Sequence, residues 1–146
     1  MAGQYLYHGT SDKYLETIRK VGICPTAVTG ETLTYWRKVG RAVLWREDAV
    51  YTSPSTTTAW GFADQAVMSL GGKQVVFSFY SGSFKKPAGC KVQRRGNEVN
   101  FIGCGCIPTS ILGYQTERPS SDEIMISERM KSPIGRWERL TERKKR

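Results

Sequence analysis

Gln4-Tyr5-Leu6-Tyr7-His8-Gly9-Thr10-Ser11 is a short apolar and aromatic run that ends in a His-Gly pair and two hydroxyl residues. Residues 4 to 8 read as a buried strand, because nothing there breaks an extended chain. His8 is the only histidine in the 146 residues. Thr10 or Ser11 is placed to cap a following helix, with Asp12 in the first turn, where the dipole favours an acid. Leu15, Ile18 and Val21 or Gly22 then share one face at helical spacing, and Gly22 ends the helix.

Outward from this stretch, residues 26–34 are polar, contain Gly30 and read as a loop. Tyr35-Trp36-Arg37-Lys38 and the segment 41–46, with Trp45, interleave aromatic rings and cations. That pattern suits stacking on bases with phosphate contacts. It equally suits an amphipathic segment whose rings pack while its cations reach water. Residues 49–52 form a short strand, and Ser53-Pro54-Ser55 leads into a helix capped by Ser53 or Ser55. Ala59, Phe62, Ala63, Ala66 and Leu70 give that helix an apolar stripe, and Gly71-Gly72 stops it. Residues 74–80 are the strongest strand of the chain, β-branched and aromatic. Further strands are expected at 90–93, at 98–102 after a turn at 94–97, after Ile107-Pro108 up to Tyr114, and at 123–126. Trp137 and Leu140 read as docking residues. No repeat and no second core is visible, so the expectation is an α+β chain with one domain.

Composition narrows the function classes. Hydrophobic residues make up 39%, and no apolar run approaches the ~20 residues of a membrane span. No basic segment followed by an apolar core opens the chain, so a soluble, cytoplasmic protein without a membrane partner is expected. Cys24, Cys90, Cys104 and Cys106 are irregularly spaced in a chain long enough to hold a core unaided, and read as free thiols in a reducing compartment. Cys104 and Cys106 lack further ligands for zinc, so no metal is expected. The net charge is +9, and residues 129–146 carry eight Lys or Arg against Glu138 and Glu142, a net of +6 that leaves +3 for the rest. The chain therefore divides into residues 1–128, holding the folded elements, and a basic segment 129–146. A basic end suits a nucleic-acid or acidic-protein partner, and equally a solvated tail.

One histidine excludes a histidine cluster. Gly103-Cys104-Gly105 is not followed by Lys-Ser or Lys-Thr, so it is not a phosphate-binding loop. No Gly-x-Ser-x-Gly elbow is present. Three elements do form a pattern. They are Tyr7-His8-Gly9-Thr10; Val50-Tyr51-Thr52-Ser53 followed by Ala59-Trp60-Gly61-Phe62-Ala63; and Asn97-Glu98-Val99-Asn100-Phe101 followed by Ile107-Pro108. In this order they resemble ADP-ribosyltransferases of the His-Tyr-Glu type, the group of poly-ADP-ribose polymerase catalytic domains and small rifamycin-modifying enzymes. The resemblance runs from Tyr7 to about Tyr114. It departs at the helix, where the polymerases carry a serine and this chain has Ala59 or a nearby threonine, and at Phe62, where they carry a second tyrosine. Single transfer is therefore expected rather than polymer growth.

The resemblance implies a split β-sheet core with two or more short helices, and NAD as co-substrate. Cleaving the glycosidic bond of NAD passes through an oxocarbenium-like ribose, which a carboxylate stabilises. Glu98 is the expected catalytic residue. Glu123 is its rival, since it too would open a strand. His8 and Thr10 would lie against the dinucleotide, with His8 on a ribose hydroxyl. Gly9 would offer its peptide groups to the carboxamide. Tyr51 would stack on the nicotinamide, Phe62 would cover its other face, and Ser53 would line the site. Tyr35, Trp36, Arg37, Lys38 and Trp45 are the expected acceptor contacts, for a protein side chain or a nucleic acid. Two other readings stand beside this one: a non-catalytic basic module for RNA or DNA, and an enzyme like the NAD-dependent RNA 2′-phosphotransferases.

Overall fold

A computed structural model describes residues 3–25 and 48–140. Strand β1 (Tyr5–Ser11) passes through a short 3-10 turn, Asp12–Tyr14, into helix α1 (Leu15–Val21). After the intervening segment come β2 (Ala49–Thr52), α2 (Thr56–Leu70), β3 (Gln74–Tyr80), β4 (Lys91–Arg95), β5 (Glu98–Ile102), β6 (Gly113–Gln115), α3 (Ser121–Met130) and β7 (Glu138–Arg139). The described residues are thus of mixed α+β class, with three α-helices and two antiparallel sheets.

One sheet has the order β1-β3-β6-β7, the other β2-β5-β4. Among the described residues one antiparallel bridge, Tyr7 with Ser53, connects them, through Tyr7 N–H to Ser53 O at 2.8 Å and Ser53 N–H to Tyr7 O at 2.9 Å. Alternation assigns each strand two faces. Leu6, Val75, Phe77 and Phe79 from the first sheet pack with Val50, Val99 and Phe101 from the second, and with Ile18, Ile107, Leu112 and Leu140. On the other face of β1, Tyr7 packs with Val76 and with Ala59, Trp60 and Ala63 of α2.

Several expectations change. The buried stripe of α2 is Thr56, Ala59, Trp60, Ala63 and Ala66. Phe62 and Leu70 lie to one side of it, half-buried. Residues 121–130 are helical rather than a strand: Ser120 and Glu123 form a reciprocal capping box that starts α3. Helix signals thus outweigh the short Ile-Met-Ile run. The chain between Ile107 and Tyr114 is mostly a 3-10 turn, and only Gly113–Gln115 pairs as β6.

The cysteines are also a correction. They are not free: Cys24 pairs with Cys106 and Cys90 with Cys104. The first pair lies beside the Ile23–Ile107 bridge, so it fastens the exit of α1 to the chain after β5. The second fastens the β3–β4 loop, whose residues 85–89 are exposed and contribute nothing to the core. A crosslink supplies what burial does not. The cysteines therefore lend no support to a reducing compartment. No helix among the described residues is long and apolar enough to cross a membrane.

Candidate functional site

The seam between the sheets is where the sequence-predicted residues meet. Tyr7 uses both its peptide groups on Ser53. In an antiparallel strand, successive residues turn their peptide groups to opposite sides. Tyr7 and Gly9 therefore face away from β3, toward β2, while Leu6, His8 and Thr10 bond to β3. Ser53 occupies the place beside Tyr7, but no bridge continues the pairing to Gly9. Among the described residues, no partner takes the Gly9 N–H or C=O, and one donor and one acceptor stand at the opening.

Gly9 has a packing reason to be glycine as well. A Cβ there would lie 1.8 Å from the Ala59 carbonyl oxygen and 3.0 Å from the Ala63 nitrogen. Helix α2 thus rests directly on the backbone of β1.

His8 reaches across the seam. Its Nδ1–H donates to the Tyr51 carbonyl at 2.8 Å. Burial pushes the imidazole below its usual pKa, and the bond to Tyr51 only partly offsets this. A neutral ring with Nδ1 protonated carries its lone pair on Nε2. No described residue bonds to Nε2. Thr10 is buried on the same face of β1, opposite Val75.

On the second sheet, β2 and β5 pair Tyr51 with Asn100 and Thr52 with Val99. The pairing ends there, and Ser53 and Glu98 are the next residues on the two strands. Cross-strand partners point to one face, so Tyr51, Ser53, Glu98 and Asn100 share a face, opposite to the core face of Val99 and Phe101. On β4, Arg95 stands opposite Glu98 and Gln93 opposite Asn100. Glu98 is partly buried, and no described residue holds its carboxylate in a hydrogen bond or ion pair. Ser53 is fully buried and its Oγ accepts from Ser55 N–H at 3.0 Å, shaping the turn into α2.

The structure therefore brings His8, Gly9, Tyr51, Ser53 and Glu98 to adjacent positions on three neighbouring strands. Phe62 lies on α2, off its buried stripe. Glu123 is occupied as the third residue of the capping box. Tyr35, Trp36, Arg37, Lys38 and Trp45 lie outside the described residues.

Two residues were missed by sequence reasoning. Glu128 on α3 takes Ser55 Oγ–H at 2.7 Å, Thr57 N–H at 2.9 Å and Thr56 Oγ1–H at 3.2 Å, all on one oxygen. The first turn of α2 has no acid of its own, and Glu128 supplies that charge from another helix. Burial would raise its carboxyl, but these donors outweigh burial and hold it below the ordinary value. Beside it, burial pushes the Tyr7 phenol up to about 12, with Ser127 opposing and Glu128 reinforcing the shift. Asn100 is the second omission. The alternation of residues 98–102 already placed it on the face of Glu98.

The chain matches no model of a known protein family, and no curated protein matches it.

Proposed function

We propose that this protein is an NAD-dependent mono-ADP-ribosyltransferase that transfers ADP-ribose to a macromolecular acceptor and releases nicotinamide. One observation carries this reading. Glu98, a carboxylate with no partner among the described residues, stands on the strand next to Tyr51 and Ser53, and these lie across the seam from a neutral His8 and from the Gly9 peptide groups, which no described residue takes.

These groups match NAD part by part. Gly9 offers one donor and one acceptor, the complement of a primary carboxamide. His8 Nε2 accepts from a ribose hydroxyl. Tyr51 supplies a ring for the nicotinamide to stack on, with Phe62 as a second apolar surface and Ser53 and Thr10 lining the floor. Glu98 accepts from the 2-hydroxyl of the nicotinamide ribose and faces the charge that develops at C1. The C1–N bond breaks with its electron pair going to the ring nitrogen, so neutral nicotinamide leaves. The acceptor nucleophile then bonds to C1 and gives up its proton to water. Pre-placed negative charge at such a centre contributes on the order of 10²–10³ in rate.

Nicotinamide release from NAD is the test, using wild type, Glu98→Gln and Glu123→Gln. Glu98→Gln is expected to lower the rate by about 10²–10³, with no loss of thermal stability. Glu123→Gln keeps the capping box and is expected to keep activity. Activity that survives Glu98→Gln but not Glu123→Gln would reassign the carboxylate. No NAD consumption with protein, RNA or DNA acceptors would overturn the proposal.

A further inference from the structure

Asn100 is 2% exposed, and its Oδ1 has no hydrogen-bond donor among the described residues. Leaving a buried amide oxygen unpaired costs about 1–3 kcal/mol. Trp60 Nε1 and Gln115 Oε1 are likewise buried without a partner among the described residues, but only Asn100 stands beside the candidate site. Asn100 lies directly across from Tyr51 and two residues after Glu98, on the same face of the sheet. The residue expected to break a bond, the ring expected to hold the leaving group and an unsatisfied acceptor therefore stand side by side.

We propose that Asn100 is a substrate-contacting residue whose Oδ1 accepts a hydrogen bond from the carboxamide N–H of nicotinamide. This assignment rests on the transferase reading above. The nicotinamide riboside half of NAD has two kinds of donor, the ribose hydroxyls and the carboxamide N–H groups. Glu98 takes a hydroxyl. Asn100 is one strand repeat away, about 7 Å, which is farther than adjacent hydroxyls of one ribose reach. It lies instead beside the ring that stacks on Tyr51, and the only donors of that ring are the two carboxamide N–H groups. Gly9 C=O takes one of them from the β1 side, and Asn100 Oδ1 takes the other from the β5 side. Together they select an amide against a carboxylate, which has no N–H to give.

The experiment uses Asn100→Leu, close to isosteric, in the full chain. Thermal unfolding and calorimetric titration are run with nicotinamide, nicotinate, ADP-ribose and NAD. Removing an unpaired buried acceptor is expected to leave the melting temperature unchanged or raise it, whereas an asparagine with a structural task would lower it. Nicotinamide affinity is expected to fall about tenfold, and ADP-ribose, which lacks the carboxamide, is expected to bind as before. Wild type alone provides a second measurement, should the variant fail to fold: nicotinate is expected to bind at least tenfold more weakly than nicotinamide.

The assignment is overturned if Asn100→Leu binds nicotinamide like wild type, if ADP-ribose weakens in parallel, or if wild type does not distinguish nicotinate from nicotinamide. Failure of the transferase reading looks different. In that case wild type binds neither NAD nor ADP-ribose, and the assignment of Asn100 falls with it.

Discussion

Gly9→Ala tests whether the fold or the ligand sets the glycine in the His-Gly pair. The new Cβ would stand 1.8 Å from Ala59 O and 2.8 Å from the carbonyl carbon. Both atoms are backbone, so no side chain is free to swing aside. Reaching ordinary contact requires β1 and α2 to separate by about 1.5 Å. Ala59, Trp60 and Ala63 are fully buried against β1, and all of them lose contact as the helix lifts. Overpacking of this kind costs about 1–3 kcal/mol, and contact with rigid backbone puts Gly9→Ala at the upper end. At about 2–4 °C per kcal/mol for a domain of this size, the melting temperature falls by roughly 6–12 °C. Gly61→Ala is the internal control. Gly61 lies within α2, and a Cβ there meets nothing within 4 Å. Alanine is better than glycine inside a helix by about 0.5–1 kcal/mol, so Gly61→Ala is expected to raise the melting temperature. Thermal and urea unfolding, followed by circular dichroism, read both. Equal stability of Gly9→Ala and wild type would refute the reasoning and leave ligand approach as the reason for the glycine. Destabilisation by Gly61→Ala would refute the placement of α2.

Three further outcomes follow from the same structure. Removing the Cys24–Cys106 pair opens a sequence separation of 82 residues, against 14 for Cys90–Cys104. The chain-entropy account gives about 4.5 and about 3 kcal/mol, so Cys24→Ser with Cys106→Ser lowers the urea midpoint more; alkylation of all four cysteines without reductant would refute the pairing. His8 is held below its ordinary value of 6.5, so the unfolded chain binds a proton that the folded chain refuses. Stability is then complete above pH 6.5 and declines as pH falls below it, and His8→Gln flattens that decline in unfolding midpoints measured between about pH 7.5 and 5.5. Glu128 is held below its ordinary value of 4.5, so its contribution is present above that pH and lost as pH falls through the lower folded value. Glu128→Gln destabilises by at most about 1 kcal/mol at neutral pH, because water screens this half-exposed carboxylate, and converges on wild type in acid, as read by urea unfolding across pH.

The sequence made local features legible because their signals are local. The period of residues 74–80, the Ser55 cap and the Gly22 and Gly71 stops all depend on neighbours within a few positions. The alternation of residues 98–102 put Val99 and Phe101 in the core and Glu98 on the other face, as found. Residues 121–130 show the limit of this reading. Ile124-Met125-Ile126 has the composition of a strand, but Met125 and Ile126 are exposed on a helix that Ser120 and Glu123 start. The capping-box pair Ser120 and Glu123 stands three residues apart in the sequence and outweighs the apolar triplet. Long-range pairing left no such trace. Nothing near Cys24 marks Cys106 as its partner, and nothing near Ser55 announces that Glu128 completes its helix.

Gly9 illustrates how a short motif gathers two demands at one residue. The Tyr7–Ser53 bridge joins the sheets, and the peptide groups of Gly9 are the next ones to point the same way. Their freedom requires the strands to part after one bridge. The parting is maintained by α2, which follows Ser53 by three residues and lands on Gly9 itself. A side chain at Gly9 would lift the helix that directs the chain out of the seam. Glu128 anchors the start of that helix to α3, so the opening is held from both ends of the turn. The NAD site proposed at His8, Tyr51 and Glu98 would thus depend on a glycine for its shape. The stability of Gly9→Ala and the ligand binding of Asn100→Leu report on separate parts of it: the first on the wall, the second on the ligand.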